Sequence, residues 1–168
     1  MTDDAEAIKT FDVVFELKAH SVGKMRNEIT GQMTSPVLDE EFSFATDEGP
    51  FHGGDQTAPP PLAYFCTGFV SCLMTQLRAF AKRLRIDLQG VKISANIKWQ
   101  GTVKGREPYT ARPEAFELDI DLDSSASLED QKRLLDAAKK GCFVEATLAN
   151  PIPVTHRLKQ GNSYVDAD

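Results

Sequence analysis

Charge is missing from one long stretch of this chain: no side chain between Asp55 and Arg78 is ionised. A stretch of that kind raises the question of a membrane span. Pro59, Pro60 and Pro61 cannot lie inside a regular helix, which leaves residues 62–77, short of the roughly 20 apolar residues a span needs. Arg78, Lys82, Arg83 and Arg85 follow at once, as on a helix that turns outward to water. A basic start with an apolar run is missing too: Asp3, Asp4 and Glu6 make the N-terminus acidic. This argues against a secretory leader and sets cytoplasm as the expected location. Basic residues are in deficit, and a net charge of −6 argues against nucleic acid, whose phosphates demand a positive surface.

Cysteine is scarce as well. Three thiols are an odd number, which speaks against a fully paired disulfide framework; in a reducing compartment they serve as core residues, catalytic groups or ligands. His20, His52 and His156 are scattered, and Cys66 and Cys72 are separated by five residues. Neither pattern has the short spacing of a zinc site, so no bound metal or cofactor is expected. No histidine lies in a local Cys–His hydrolase signature.

What the chain does have is a folded protein's composition, with 41% hydrophobic and 26% charged residues over 168 positions. That suits one domain, or a subunit that completes its core in an oligomer. Residues 1–9 read as an extension. Residues 10–20, 24–33 and 41–46 read as three strands, followed by a glycine-rich polar loop over 47–58. A helix is expected from about Pro61 to Arg85, with proline tolerated in its first turn. Phe65, Phe69, Leu73, Leu77, Phe80 and Leu84 recur at steps of three and four and make one apolar stripe. The first half of this helix is apolar on nearly every side, which suits a core centre or a subunit interface. Residues 91–99 and 116–123 alternate as strands around a hairpin or long loop at 101–113. A second helix is expected from Ser127 to Asn150, with N-cap candidates at 124–127 and Glu129 and Asp130 at its positive end. A short strand at 154–158 ends the pattern. Antiparallel strands with two segregated helices make an α+β fold. Cys66 lies about 240° around the helix from Cys72 and reads as packing.

The run from Pro61 to Cys72 resembles the start of the central helix of the OsmC/Ohr thiol peroxidases. There a proline opens the helix, and the reactive cysteine follows eleven residues later, as here. Residues 90–97 resemble the strand after that helix. Residues 141–148 and 153–158 resemble the family's second-cysteine helix and final strand. The resemblance implies an OsmC-like single domain over 1–168, with antiparallel sheets wrapped around two central helices and completed in an intertwined homodimer. It implies that Cys72 is the peroxidatic thiolate, attacking an organic hydroperoxide, and that Cys142 is the resolving thiol. It also implies an external dithiol reductant of the lipoyl type, and a strand arginine that holds the thiolate. Arg26 is the sole arginine before Arg78 and takes that place; a solvated strand arginine is the other reading. Phe65, Phe69, Leu73 and Met74 would form an apolar wall that rewards an alkyl tail.

The chain departs from the family pattern at one point. A glutamate just after the helix-opening proline pairs with the arginine in the family, whereas Leu62, Ala63 and Tyr64 follow Pro61 and no Asp or Glu occurs between Asp55 and Asp87. Asp55 and Glu145 are the candidate substitutes, though surface solvation is the favoured reading for each. The missing carboxylate keeps a second function open, a small-molecule or lipid-binding dimer in which the cysteines are packing. A structural dimer without ligand is a third.

Overall fold

Alternation of apolar and polar residues yields the three expected strands: β1 (Val14–Val22), β2 (Arg26–Ser35) and β3 (Phe42–Thr46). They pair antiparallel in the order β1-β2-β3. β1 starts at Val14 rather than Thr10 because Ser35, its pairing partner, is the last residue of β2. The register matches Phe15 with Met33, Leu17 with Gly31, Gly31 with Phe42 and Ile29 with Phe44. Directly opposed residues share a face, so these side chains form one apolar surface. Phe15, Phe42, Phe44 and Tyr64 run across it with successive ring centroids 6.4, 5.3 and 5.4 Å apart. Gly31 makes room for this row, since a Cβ there would meet the Phe42 ring at 2.7 Å.

Residues 8–167 are described by the computed structural model. They form two compact units, one ending at Phe65 and one beginning at Cys66. The expected extension over 1–9 falls mostly on residues 1–7, outside the described residues; Ile8 and Lys9 are exposed.

Between β3 and the long helix, the chain folds back on itself through a single 3-10 turn at Pro50–His52. Backbone bonds Gly54 N–H to Gly49 O (3.1 Å), Gln56 N–H to Glu48 O (3.1 Å) and Asp47 N–H to Pro59 O (3.2 Å) close this loop. The closure demands glycine at 54, where a Cβ would sit 1.9 Å from the Glu48 carbonyl oxygen.

Helix α1 (Pro61–Leu84) has the expected bounds. Its end is set by backbone geometry: Arg85 takes φ 55°, its N–H bonds Lys82 O, and the Ile86 N–H reaches back to Ala81 O at 2.9 Å. These are the paired bonds of a Schellman cap, and Ile86 follows them into the core.

In the second unit, β4 (Gly90–Thr102) and β5 (Thr110–Asp123) form a long hairpin. Both strands run deeper into the 101–113 region than the alternation alone implied. Val91, Ile93, Leu118, Ile120 and Leu122 of this hairpin pack on a core made by Leu73, Leu77, Ala81, Ile86, Leu134, Ala138 and Cys142. Between them Lys92, Ser94 and Asn96 oppose Asp121, Asp119 and Glu117 on the other face.

The expected second helix is two helices, α2 (Leu128–Gly141) and α3 (Phe143–Ala149). Ser127 caps α2 as anticipated: its hydroxyl accepts from the Asp130 N–H at 3.2 Å and donates to the Asp130 carboxylate at 2.9 Å. The break lies at Cys142, which has the extended angles φ −80°, ψ 111° and joins the two helices. Gly141 brings α2 close to α1: a Cβ there would lie 2.5 Å from the Phe80 ring. Gly141→Ala is therefore expected to destabilise the protein by about 1–2 kcal/mol, because overpacking outweighs the gain in helix propensity. Adding Phe80→Leu should recover most of that loss in a double-mutant urea titration; a neutral Gly141→Ala would contradict the close approach.

The expected final strand is also a pair, β6 (Arg157–Gln160) and β7 (Ser163–Asp166), turned at Gly161 with φ 59°. Among the described residues, no helix is long and apolar enough to cross a membrane.

Candidate thiol pair and arginine anchor

Two thiols meet in the second unit. Cys72 sits on the core side of α1 beside the fully buried Leu73 and packs against the cluster that contains Cys142. Cys142 has no exposed surface. The two thiols are close enough to influence each other, and both are free. Cys142 continues the buried side of α2, four residues after Ala138 and eight after Leu134, although the helix itself ends at Gly141.

Burial is the main reason that the Cys142 thiol is pushed up to about 11 from an ordinary 9.0. The neighbouring Cys72 sulfur acts in the same direction, while the backbone N–H groups of Glu145 and Val144 oppose it, out of regular cap geometry. A raised folded pKa means that folding holds the proton. The associated stability is complete below 9.0 and disappears as pH rises toward 11. Near pH 7 the Cys142 thiol therefore keeps its proton.

Cys66 is half-buried on α1 and is not among the side chains packed on that core. Phe69 and Leu73, expected in a substrate wall, are instead core residues. Leu73 is fully enclosed, and Phe69 meets Phe116 edge-on at 5.9 Å. Phe65 is 38% exposed, and Met74 lines a shallow depression with Arg78 and Leu88.

The arginine anchor is in the first unit. Arg26 opens β2, and its side chain is two-thirds covered. Its Nη1 donates to the Thr57 hydroxyl at 2.9 Å and, over a longer 3.4 Å, to the Thr57 carbonyl oxygen, and its Nε lies 3.5 Å from Glu28. Thr57 in turn donates its hydroxyl proton to Asp47 Oδ2 at 2.8 Å and its backbone N–H to the same oxygen at 2.9 Å. Asp47 is only 2% exposed. Its own loop, rather than the protein core, shuts it from water. The two Thr57 bonds hold its carboxyl below the usual range, helped by the Glu48 and Asp55 N–H groups near it. Among the described residues, no group meets Oδ1 in hydrogen-bond geometry.

The expected substitute carboxylates lie elsewhere. Asp55 pairs with Lys24 at 2.7 Å. Glu145 presents its backbone N–H, not its carboxylate, to Cys142. Asp47 and Thr57 escaped the sequence reading because they precede the charge-free stretch in a loop whose closure no periodicity reveals. The Gly53–Gly54 pair was the available signal. No cluster of three His, Cys, Asp or Glu side chains suited to a metal occurs among the described residues.

A family described as OsmC-like protein matches residues 53–157. The crystal structure of an OsmC-like hydroperoxide resistance protein from a Jannaschia species is 44% identical, covering 92% of this chain and 98% of that one, with a TM-score of 0.63. An organic hydroperoxide resistance protein from Legionella pneumophila (17% identity, 85% and 91% coverage, TM-score 0.57) and an OsmC-like protein from Mycoplasma pneumoniae (19%, 85% and 89%, 0.58) share the fold. No curated protein matched. With more than half its length matched and a relative at this identity, the chain belongs to the OsmC-like protein family.

Proposed function

We propose that the protein is a two-cysteine peroxidase that reduces organic hydroperoxides. The observation that carries this reading is the approach of Cys72 on α1 to Cys142 at the break between α2 and α3, two free thiols, one of them held neutral. The 44% identical relative, described as a hydroperoxide resistance protein, supports it.

The thiolate of Cys72 attacks the distal oxygen of the hydroperoxide. The O–O bond breaks, the alkoxide takes a proton and leaves as alcohol, and Cys72 becomes a sulfenic acid. Cys142 then attacks that sulfur. An S–S bond forms, the S–O bond breaks, and the leaving hydroxide combines with the proton that Cys142 gave up, as water. An external dithiol reduces the disulfide by two exchange steps and is itself oxidised to a disulfide. A thiolate of this kind needs a permanent cation, and the family resemblance assigns that part to Arg26. Hydroperoxide consumption driven by a lipoyl dithiol, lost in Cys72→Ser, tests the scheme.

The working form in this proposal is a homodimer. In the first unit, the apolar sheet face leaves Phe15 53%, Leu17 59% and Phe44 48% exposed, and Leu62 and Phe65 on α1 also face outward. A second copy is the natural cover for such surfaces. Light scattering at micromolar concentration should give a mass near twice 18.5 kDa; a monomer would contradict this part of the proposal.

A further inference from the structure

The Thr57 hydroxyl has one proton, and Asp47 Oδ2 takes it at 2.8 Å. Its lone pairs are therefore what Arg26 Nη1 meets at 2.9 Å. The bonds run in one direction, from guanidinium to hydroxyl to carboxylate, and each polarises the next. Asp47 is also enclosed by a loop that closes only with glycine at position 54. The other carboxylate near Arg26, Glu28, is on the same strand and has 47% of its side chain exposed. Solvent weakens a pair of that kind.

We propose that Asp47 is a positioning residue that, through the Thr57 hydroxyl, holds the Arg26 guanidinium in place for the peroxidase reaction. The inference relies on the peroxidase reading for the work Arg26 does. The anchor itself is observable without turnover.

The test uses the full chain as wild type, Thr57→Val, Thr57→Ser, Asp47→Asn and Glu28→Gln. Arginine side-chain NMR reports whether the Arg26 guanidinium is held or rotates freely, and steady-state kinetics with tert-butyl hydroperoxide and dihydrolipoamide report kcat/KM. Thr57→Val is nearly isosteric and removes only the relay. It should collapse the Arg26 signals to an averaged set and lower kcat/KM about tenfold to a hundredfold, the scale of a misplaced reacting group. Thr57→Ser should restore both. Asp47→Asn should loosen Arg26, and Glu28→Gln should leave it held. Equal restraint of Arg26 in wild type and Thr57→Val, or in wild type and Asp47→Asn, overturns the proposal; so does a Thr57→Ser protein as impaired as Thr57→Val. A wild type that fails to consume the peroxide, but whose Arg26 still depends on Thr57 and Asp47, supports the anchor and overturns the peroxidase reading instead.

Discussion

Replacing Cys72 with serine is expected to lower hydroperoxide consumption by about a thousandfold or more, the scale seen when a catalytic nucleophile is removed. Serine keeps the size and most of the packing of the half-buried thiol, so the fold should survive the change. Cys142→Ser should behave differently. One equivalent of peroxide should still be reduced, because Cys142 is neutral near pH 7 and takes no part in the first step. Turnover should then stop with a sulfenic acid on Cys72. The disulfide step in the wild type should show its own pH dependence. The attacking group in exchange chemistry is the thiolate, and Cys142 yields its proton only near 11. Sulfenic acid trapped in stopped-flow experiments should therefore disappear faster as pH rises, by about tenfold per unit between pH 7 and 9. A disulfide step that is flat over that range would mean that Cys142 loses its proton by another route.

Leu77→Ala is expected to destabilise the protein by about 2–5 kcal/mol, the range for truncating an enclosed leucine. Leu77 has no exposed surface, and it lies in the cluster where α1 meets Leu134 and Ala138 of α2. The truncation removes three carbons where Ala81 and Ala138 are too small to fill the gap. Urea denaturation at fixed protein concentration should show a lower midpoint with little change in slope. The fixed concentration matters because association would add to apparent stability. A loss under about 1 kcal/mol would mean that the helices collapse onto the site more freely than their packing implies.

Much of this was legible in the sequence because period and spacing report it. The stripe through Phe69, Leu73 and Leu77 gave α1 and its buried side, and the alternation at 91–97 and 116–122 gave the hairpin face. The candidate thiol came from the resemblance of the run from Pro61 to Cys72 to the family's central helix, not from periodicity. The break at Cys142 was not legible, since residues 143–149 continue a helical composition and only the low propensity of Gly141 hinted at a stop. The substrate wall, by contrast, was drawn through two residues of that buried stripe: Phe69 and Leu73 face the core. The relay behind Arg26 depends on the closure of residues 47–57, a contact pattern that no local rule encodes.

The most direct measurement is mass spectrometry of the reduced protein after one equivalent of an organic hydroperoxide, with Cys72→Ser and Cys142→Ser alongside. The predicted result is rapid loss of two hydrogens mapping to a Cys72–Cys142 disulfide, and a trapped sulfenic acid on Cys72 in the Cys142→Ser protein. An unchanged mass over minutes would contradict the peroxidase account and turn attention to a bound ligand.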